Sequence, residues 1–509
     1  MTGYSQNFPV ARHFWLNDSS YNHTLALTSD GGYILAAARQ EQGAKTRNTV
    51  AVFKLDNTYD IRHPQTPLLP NAQIIGIPVS ADEKGIVNFE VHDIIENAIM
   101  GDEGEVISYY VICGSMRRYA VSDEGHECTC EKKCECPPDR ECTCEWKCTC
   151  GGGLTPLTAE AGMVIVIDAN LNVLSIREYP SAKTFYSVYA KDNYFYVCGK
   201  TPNTATAPSN GIFLRDELFT MNPTAYITNQ PWEYHKVKLN TNGTDLLVSG
   251  TDYNEIGFTA FDIAGGNFAP IANASRKFPI SQPLQINSKV VVTNDPNNPQ
   301  GLILSAMVGF EIHTYLFNTY LSPANTCVAI TRLPYYPPSI CVLEDVNTVQ
   351  ATPTYPNGRI AWVGNVKNIP DARAAFYIST TLSFTQQPKC IIFHPFPTHP
   401  ATHYRLHKVH YNDTTFHCGG FYSHESSNKT TFVVAPEAVS NISCHTNEMP
   451  LDFPANLPLP RIIVFPVTSM NVSVKPNPWF ETRYNFCDTN CDDTPLNNNL
   501  NNNSCGNQP

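Results

Sequence analysis

Residues Met163–Lys200 read MVIVIDANLNVLSIREYPSAKTFYSVYAKDNYFYVCGK. Met163–Asp168 is apolar and rich in β-branched residues. After the turn residues Ala169-Asn170 comes a second segment, Val173–Tyr179. Lys183–Ala190 alternates, with Phe185 and Val188 among its apolar residues. Tyr194–Cys198 follows Asp192-Asn193 and ends on Gly199. Short aromatic and β-branched runs bounded by turn residues read as strands. Joined by tight turns, these four predict one antiparallel sheet.

The unit recurs. Cys198-Gly199 is a pair of small residues closing an apolar run, and matching pairs stand at Ala36-Ala37, Cys113-Gly114, Ser249-Gly250, Ser305-Ala306, Val363-Gly364 and Cys418-Gly419. The first two intervals between pairs are long, and the four that follow Cys198 are shorter and nearly equal. The second excess is a Cys-rich insert, and the first is a loop within roughly 60–101. Four strands per period of about 55 residues is the pattern of a β-propeller. Small residues at one fixed place suit strands that crowd toward the axis. The fold predicted is therefore all-β: a seven-bladed β-propeller of four-stranded antiparallel blades, with a Cys-rich β-hairpin insert in blade two and a C-terminal tail.

Ser29-Asp30-Gly31-Gly32-Tyr33-Ile34-Leu35-Ala36, followed by Val52-Phe53-Lys54-Leu55-Asp56, resembles the blade repeat of kelch-related extracellular-type propellers. The resemblance covers roughly residues 14–451 and is clearest in the first four blades. It implies the fold and no particular activity, since propellers host unrelated functions.

The propeller is assigned to residues 1–452, with the insert at 126–153, and a C-terminal extension to 453–509. Asn7–Asn17 precedes the first complete blade and is expected to pair with the last one, closing the ring and removing an exposed sheet edge. Pro-rich joints, such as Pro334–Pro338 and His394–Pro400, fit strand ends, because proline lacks the N–H a central strand donates. In the extension, Arg461–Val467 and Met470–Val474 read as two further strands. From Cys487 the chain is Asn-rich, with little to bury, and reads as a flexible tail or docking arm that Cys487, Cys491 and Cys505 would tie down. Helix content should be low.

With hydrophobic residues at 42%, a sizeable core is available; charged residues are only 16% of the chain and net charge is −12. No basic stripe exists to neutralise phosphates, so nucleic acid is not an expected partner. No apolar run is long enough for a membrane-spanning helix. Met1–Asp30 shows no basic segment leading into an apolar core, hence no signal peptide, which leaves a cytoplasmic origin open beside an extracellular, cell-surface or virion location.

The insert is the most specific motif. Cys-x-Cys-x-x-x-Cys-x-Cys occurs twice, at Cys128, Cys130, Cys134, Cys136 and at Cys142, Cys144, Cys148, Cys150. All eight share one face of an extended strand. A turn at Pro137–Glu141 sets Cys128 opposite Cys150, Cys130 opposite Cys148, Cys134 opposite Cys144 and Cys136 opposite Cys142. On the other face Lys133 meets Glu145 and Glu131 meets Lys147, a favourable cross-strand arrangement. Two chemistries fit: a ladder of cross-strand disulfides, or thiolates binding Zn or Cu(I).

Seven of the 15 histidines fall between His394 and His424. His403 and His407 share a strand face and, with Glu425 as an outer partner, form an alternative metal site. Cys113, Cys198 and Cys418 read as small buried thiols. Sequons stand at Asn17, Asn22, Asn242, Asn273, Asn412, Asn428, Asn441, Asn471 and Asn502. No phosphate loop, HExxH or nucleophile elbow is present. The function expected is a non-enzymatic scaffold without cofactor, presenting an attachment or assembly surface to a protein partner or to its own copies. The rivals are a metal-dependent propeller enzyme using the His-rich segment and a thiolate metal-binding protein acting through the finger.

Overall fold

The computed structural model describes residues 11–15, 19–40, 48–56, 72–76, 85–101, 104–121, 128–135, 143–150, 154–156, 158–203, 208–285, 287–320, 326–333, 340–367, 373–384, 386–393, 403–412, 415–424, 428–434, 436, 446–450, 455–457, 463–484 and 487–490. Among them the only helical turn is Ala264–Gly266; the rest of the regular structure is strand. The sheets are antiparallel meanders arranged as a β-propeller. One of them runs Thr184–Lys191, Tyr194–Lys200, Asn210–Glu217 and Thr224–Pro231 from the axis outward.

Apolar clusters sit between successive sheets. Ile34 and Val52 pack on Ile112 and Ile165; Val164 and Val166 pack on Phe195 and Val197. Phe213 meets Phe261, and Phe258 meets Phe317. The circle closes where His410 Nε2 lies 2.9 Å from the Leu25 carbonyl oxygen and the Tyr33 and His417 rings stand 5.3 Å apart. Both faces of these sheets are thus buried, and the second strands Leu302–Val308 and Asp245–Thr251 are buried at every residue.

Two expectations are corrected here. Met163–Lys200 is not one sheet. Ala161–Asp168 and Val173–Tyr179 are the outer strands of one sheet, and Thr184–Lys191 and Tyr194–Lys200 the inner strands of the next. The chain crosses at Pro180, and Tyr179 meets Phe185 edge-on at 5.5 Å across the interface instead of pairing with it. Secondly, among the described residues the ring holds six hydrogen-bonded sheets where seven separate blades were expected. The strands of the sixth and seventh predicted repeats belong to one ten-stranded sheet, joined by a single parallel bridge between Arg373 and His403.

Ala11–Trp15 pairs antiparallel with Asn428–Val434, so the N-terminal strand is held in the same sheet as the last repeat. The C-terminal stretch is the larger surprise. Among the described residues it contributes seven short strands, Thr446–Pro450, Ala455–Leu457, Ile463–Val464, Val467–Met470, Lys475–Asn477, Phe480–Tyr484 and Cys487–Asn490. These pair in turn with Lys389–Phe393, Thr326–Arg332, Arg276–Pro279, Thr224–Pro231, Val173–Tyr179, Ala72–Gly76 and Ala11–Trp15. The C-terminal extension, where two further strands were expected, is therefore a belt, running round the outside of the ring against chain order and ending on the N-terminal strand. Each outermost strand would otherwise present an open edge, and a few residues of extended chain are enough to pair it. Ile463 and Val464 stay exposed, so the contribution of that segment is backbone pairing and not burial. The Asn-rich residues 491–509 lie outside the described residues.

A separate two-stranded sheet pairs Cys128–Glu135 with Thr143–Cys150, setting Cys128 against Cys150, Cys130 against Cys148, Cys134 against Cys144 and Lys133 against Glu145. Cys136 and Cys142 lie outside the described residues.

Candidate functional site

The innermost strands carry an irregularity that the ring turns into a site. Six of them skip one residue in their pairing with the second strand, at Tyr21/His23, Val91/Asp93, Phe185/Ser187, Tyr234/Lys236, Leu343/Asp345 and Leu406/Lys408. A β-bulge re-aims the skipped side chain. Five of the skipped residues, His92, Tyr186, His235, Glu344 and His407, line one cavity of about 330 Å³ at one mouth of the ring.

The bulge also accounts for the glycine in four of the small-residue pairs. A Cβ on Gly114, Gly199, Gly250, Gly364 or Gly420 would lie 1.8 to 2.3 Å from the carbonyl oxygen of Glu90, Thr184, Glu233, Val342 or Arg405, each two positions before its bulge. Proximity to the bulge carbonyl, and not crowding at the axis, is what excludes a side chain there. In the last repeat the residue so placed is Gly420, one position beyond the pair read from sequence.

The mouth is rich in ion pairs. Lys200 Nζ lies 2.7 Å from Glu233 Oε1, and Lys289 Nζ 3.1 Å from Glu344 Oε2. His235 Nε2 is 3.5 Å from Glu233, His407 Nδ1 3.7 Å from Glu344 and His92 Nε2 3.7 Å from Glu90. Burial pushes all three imidazoles below the ordinary histidine range, His92 to about 3, so they are neutral at pH 7. Burial also pushes the Glu233 carboxyl up, but its bond to His235 and the Lys200 charge outweigh this and hold it at about 2. Lys289 and His407 similarly hold Glu344 far below the carboxylate range. Glu90 goes the other way, raised by burial and by the neighbouring Glu160.

One residue further along these strands lies a buried charge network. Lys408 Nζ reaches Asp93 Oδ1 at 2.6 Å, and Lys236 Nζ reaches Asp345 Oδ1 at 2.7 Å. Ser187 Oγ and the Val188 N–H donate to Asp93, and the Val409 N–H donates to Asp345. Burial opposes both carboxylates, yet the lysines hold them below their usual range. Burial, reinforced by Lys408, lowers Lys236 to about 8.

The candidates read from sequence fall as follows. His407 is at the mouth, but its carboxylate neighbour is Glu344 of the preceding repeat; Glu425 lies outside the described residues. His403 starts the strand His403–Tyr411. Among the described residues no group of three or more metal-ligating side chains is placed to hold an ion. Cys113, Cys198 and Cys418 are buried thiols outside any disulfide, together with Cys341 and Cys390. Asn242, Asn273 and Asn471 are exposed, and Asn412 is half-buried. Asn22 and Asn428 lie within strands, while Asn17, Asn441 and Asn502 lie outside the described residues.

The sequence reading missed the mouth, although a signal for it exists. Val91-His92-Asp93-Ile94, Phe185-Tyr186-Ser187-Val188, Tyr234-His235-Lys236-Val237, Leu343-Glu344-Asp345-Val346 and Leu406-His407-Lys408-Val409 all set two polar residues between apolar ones. Strict alternation allows one, and the extra residue is the bulge. No protein-family model matches the chain, and no curated protein matches it either.

Proposed function

We propose that this protein is a non-enzymatic propeller scaffold that presents an attachment or assembly surface, with a second copy of the chain or another protein as partner. One observation carries the reading. At the end of the ring opposite the mouth, Met100 is 69% exposed, Val106 60%, Phe219 57% and Met221 40%. Met100 and Val106 face each other at the tip of a hairpin of two 16-residue strands, and Tyr109 of that hairpin meets Phe219 of the neighbouring sheet at 5.2 Å. Apolar side chains gathered on a surface mark contact sites, whereas scattered ones need no explanation. The belt supports the same role, because capping the outer strands leaves loops and hairpin tips as the places for specific contact.

Such a scaffold fits an extracellular, cell-surface or virion location, where the opposed cysteines of the finger would oxidise to cross-strand disulfides. A kelch-related origin would fit the same architecture. The backbone register of the finger equally suits the second reading, thiolate coordination of Zn or Cu(I), which metal analysis with and without residues 128–150 tests. The scaffold reading is tested by sedimentation. Concentration-dependent association is expected, and Met100→Ser, Val106→Ser and Phe219→Ser together should abolish it. A strictly monomeric protein that also ignores every component of its native source would overturn it.

A further inference from the structure

We infer that the mouth is a recognition site for a neutral, hydroxyl-rich ligand, a saccharide ring. This goes beyond the scaffold reading and rests on the opposite end of the ring. The first observation is charge balance. The cavity wall holds three carboxylates, Glu90, Glu233 and Glu344, against Lys200, Lys289 and Arg405, and its imidazoles are neutral. Lys200–Glu233 and Lys289–Glu344 are already joined. An ionic ligand competing for either half-buried pair would have to separate it and strand a charge. A hydroxyl does not, because it donates and accepts at once and can bond to both members of a pair without parting them. At about 330 Å³ the cavity lies at the small end of ligand sites, which run from about 300 to 1,000 Å³.

The second observation is independent of charge. Tyr253 and Asn287, both on the cavity wall, have φ of 74° and 71°. Such backbone is costly for residues other than glycine, and persists where the surroundings enforce it, commonly at ligand clamps. Here the Leu284 N–H donates to the Tyr253 carbonyl, and the Thr251 hydroxyl accepts from the Tyr253 N–H. The Tyr253 hydroxyl is bonded to Glu233. The strain therefore holds an aromatic ring and its hydroxyl beside the Lys200–Glu233 pair. A ring edge and hydroxyl beside an ion pair offer apolar contact to the C–H face of a pyranose and hydrogen bonds to its hydroxyls.

The test is saturation-transfer NMR on the full chain with a panel of free neutral monosaccharides, an anionic sugar acid and an amino sugar, beside an array of immobilised glycans. Neutral rings should bind and charged ones should not. Binding on the array alone identifies the terminal sugar of a glycan, and binding in both formats a free sugar; either supports the site. Glu233→Gln keeps the shape but breaks the pair, and should weaken binding at least tenfold. Asn287→Gly relaxes the positive-φ backbone and removes the amide, so it should weaken binding while leaving the melting temperature unlowered. Binding of charged ligands only, no binding in either format, or variants that bind like the wild type would overturn the inference.

Discussion

Replacing Gly199 with alanine would set a Cβ 1.9 Å from the Thr184 carbonyl oxygen and 2.9 Å from the Phe185 Cα. Ordinary contacts begin near 3.4 Å, so the two chains would have to part by most of an atomic radius. The obstructing atoms are main chain. They are fixed from both sides by the Lys183 N–H bond to the Lys200 carbonyl and by the pairing of Ser187 with Cys198. They cannot swing aside as a side chain would. Overpacking of a filled interior costs about 1–3 kcal/mol, occasionally more. The upper end, ~3 kcal/mol, is expected here, with a fall in melting temperature on the order of 3–6 °C. Gly162→Ala is the control: its Cβ would meet the Phe185 ring at 2.6 Å and the Ala182 Cβ at 2.9 Å, side-chain atoms with some freedom to adjust, so a smaller loss is expected. Thermal and urea unfolding of both variants measures the difference. The bulge account fails if Gly199→Ala stays within about 0.5 kcal/mol of the wild type, because the small-residue pairs would then need another cause.

Ending the chain after Leu451 removes six of the seven belt strands and uncovers six sheet edges, so the truncated ring should melt earlier and aggregate, followed by scattering; an unchanged melt would show the belt to be ornamental. Lys408→Met strands the buried Asp93, with an expected loss of about 3–5 kcal/mol, and adding Asp93→Asn should recover part of it in a double-mutant cycle. His92 and His417 titrate at about 3 and His410 at about 4 in the folded protein. The unfolded chain protonates them near 6.5 and so binds more protons, which makes stability fall as pH drops below about 6.5, by about 1.4 kcal/mol per pH unit for each histidine until its folded pKa is reached; melting temperatures flat from pH 7 to 4.5 would contradict this. Non-reducing peptide maps should show Cys128–Cys150, Cys130–Cys148 and Cys134–Cys144 bridges, and bridges within one arm would refute the ladder.

Sequence alone determined much of the local structure. Val173–Tyr179 is a strand with the bounds its residues suggest, and the runs around Met163, Lys183 and Tyr194 shift by only a few positions. Period-two patterning and turn residues act over short range, so they are written where they act. Four of the small pairs were legible for the same reason, because Gly114, Gly199, Gly250 and Gly364 each mark a steric contact inside one hairpin. The pairing of Ala11–Trp15 with the last repeat follows from a strand left over at the beginning of a ring.

Tertiary structure decided the rest. Which strands share a sheet on either side of Pro180 depends on packing between sheets, and the same turn residues serve both outcomes. The single bridge from Arg373 to His403, which makes six sheets out of seven repeats, is one backbone contact with no side-chain signature. The belt is invisible in patterning because its strands pair through backbone groups that every residue but proline possesses in full, and segments as short as Ile463–Val464 bury almost nothing. The mouth joins His92, His235 and His407 from three repeats that lie far apart along the chain, and neutral imidazoles, depressed carboxylates and paired lysines exist only once ring closure has buried them together.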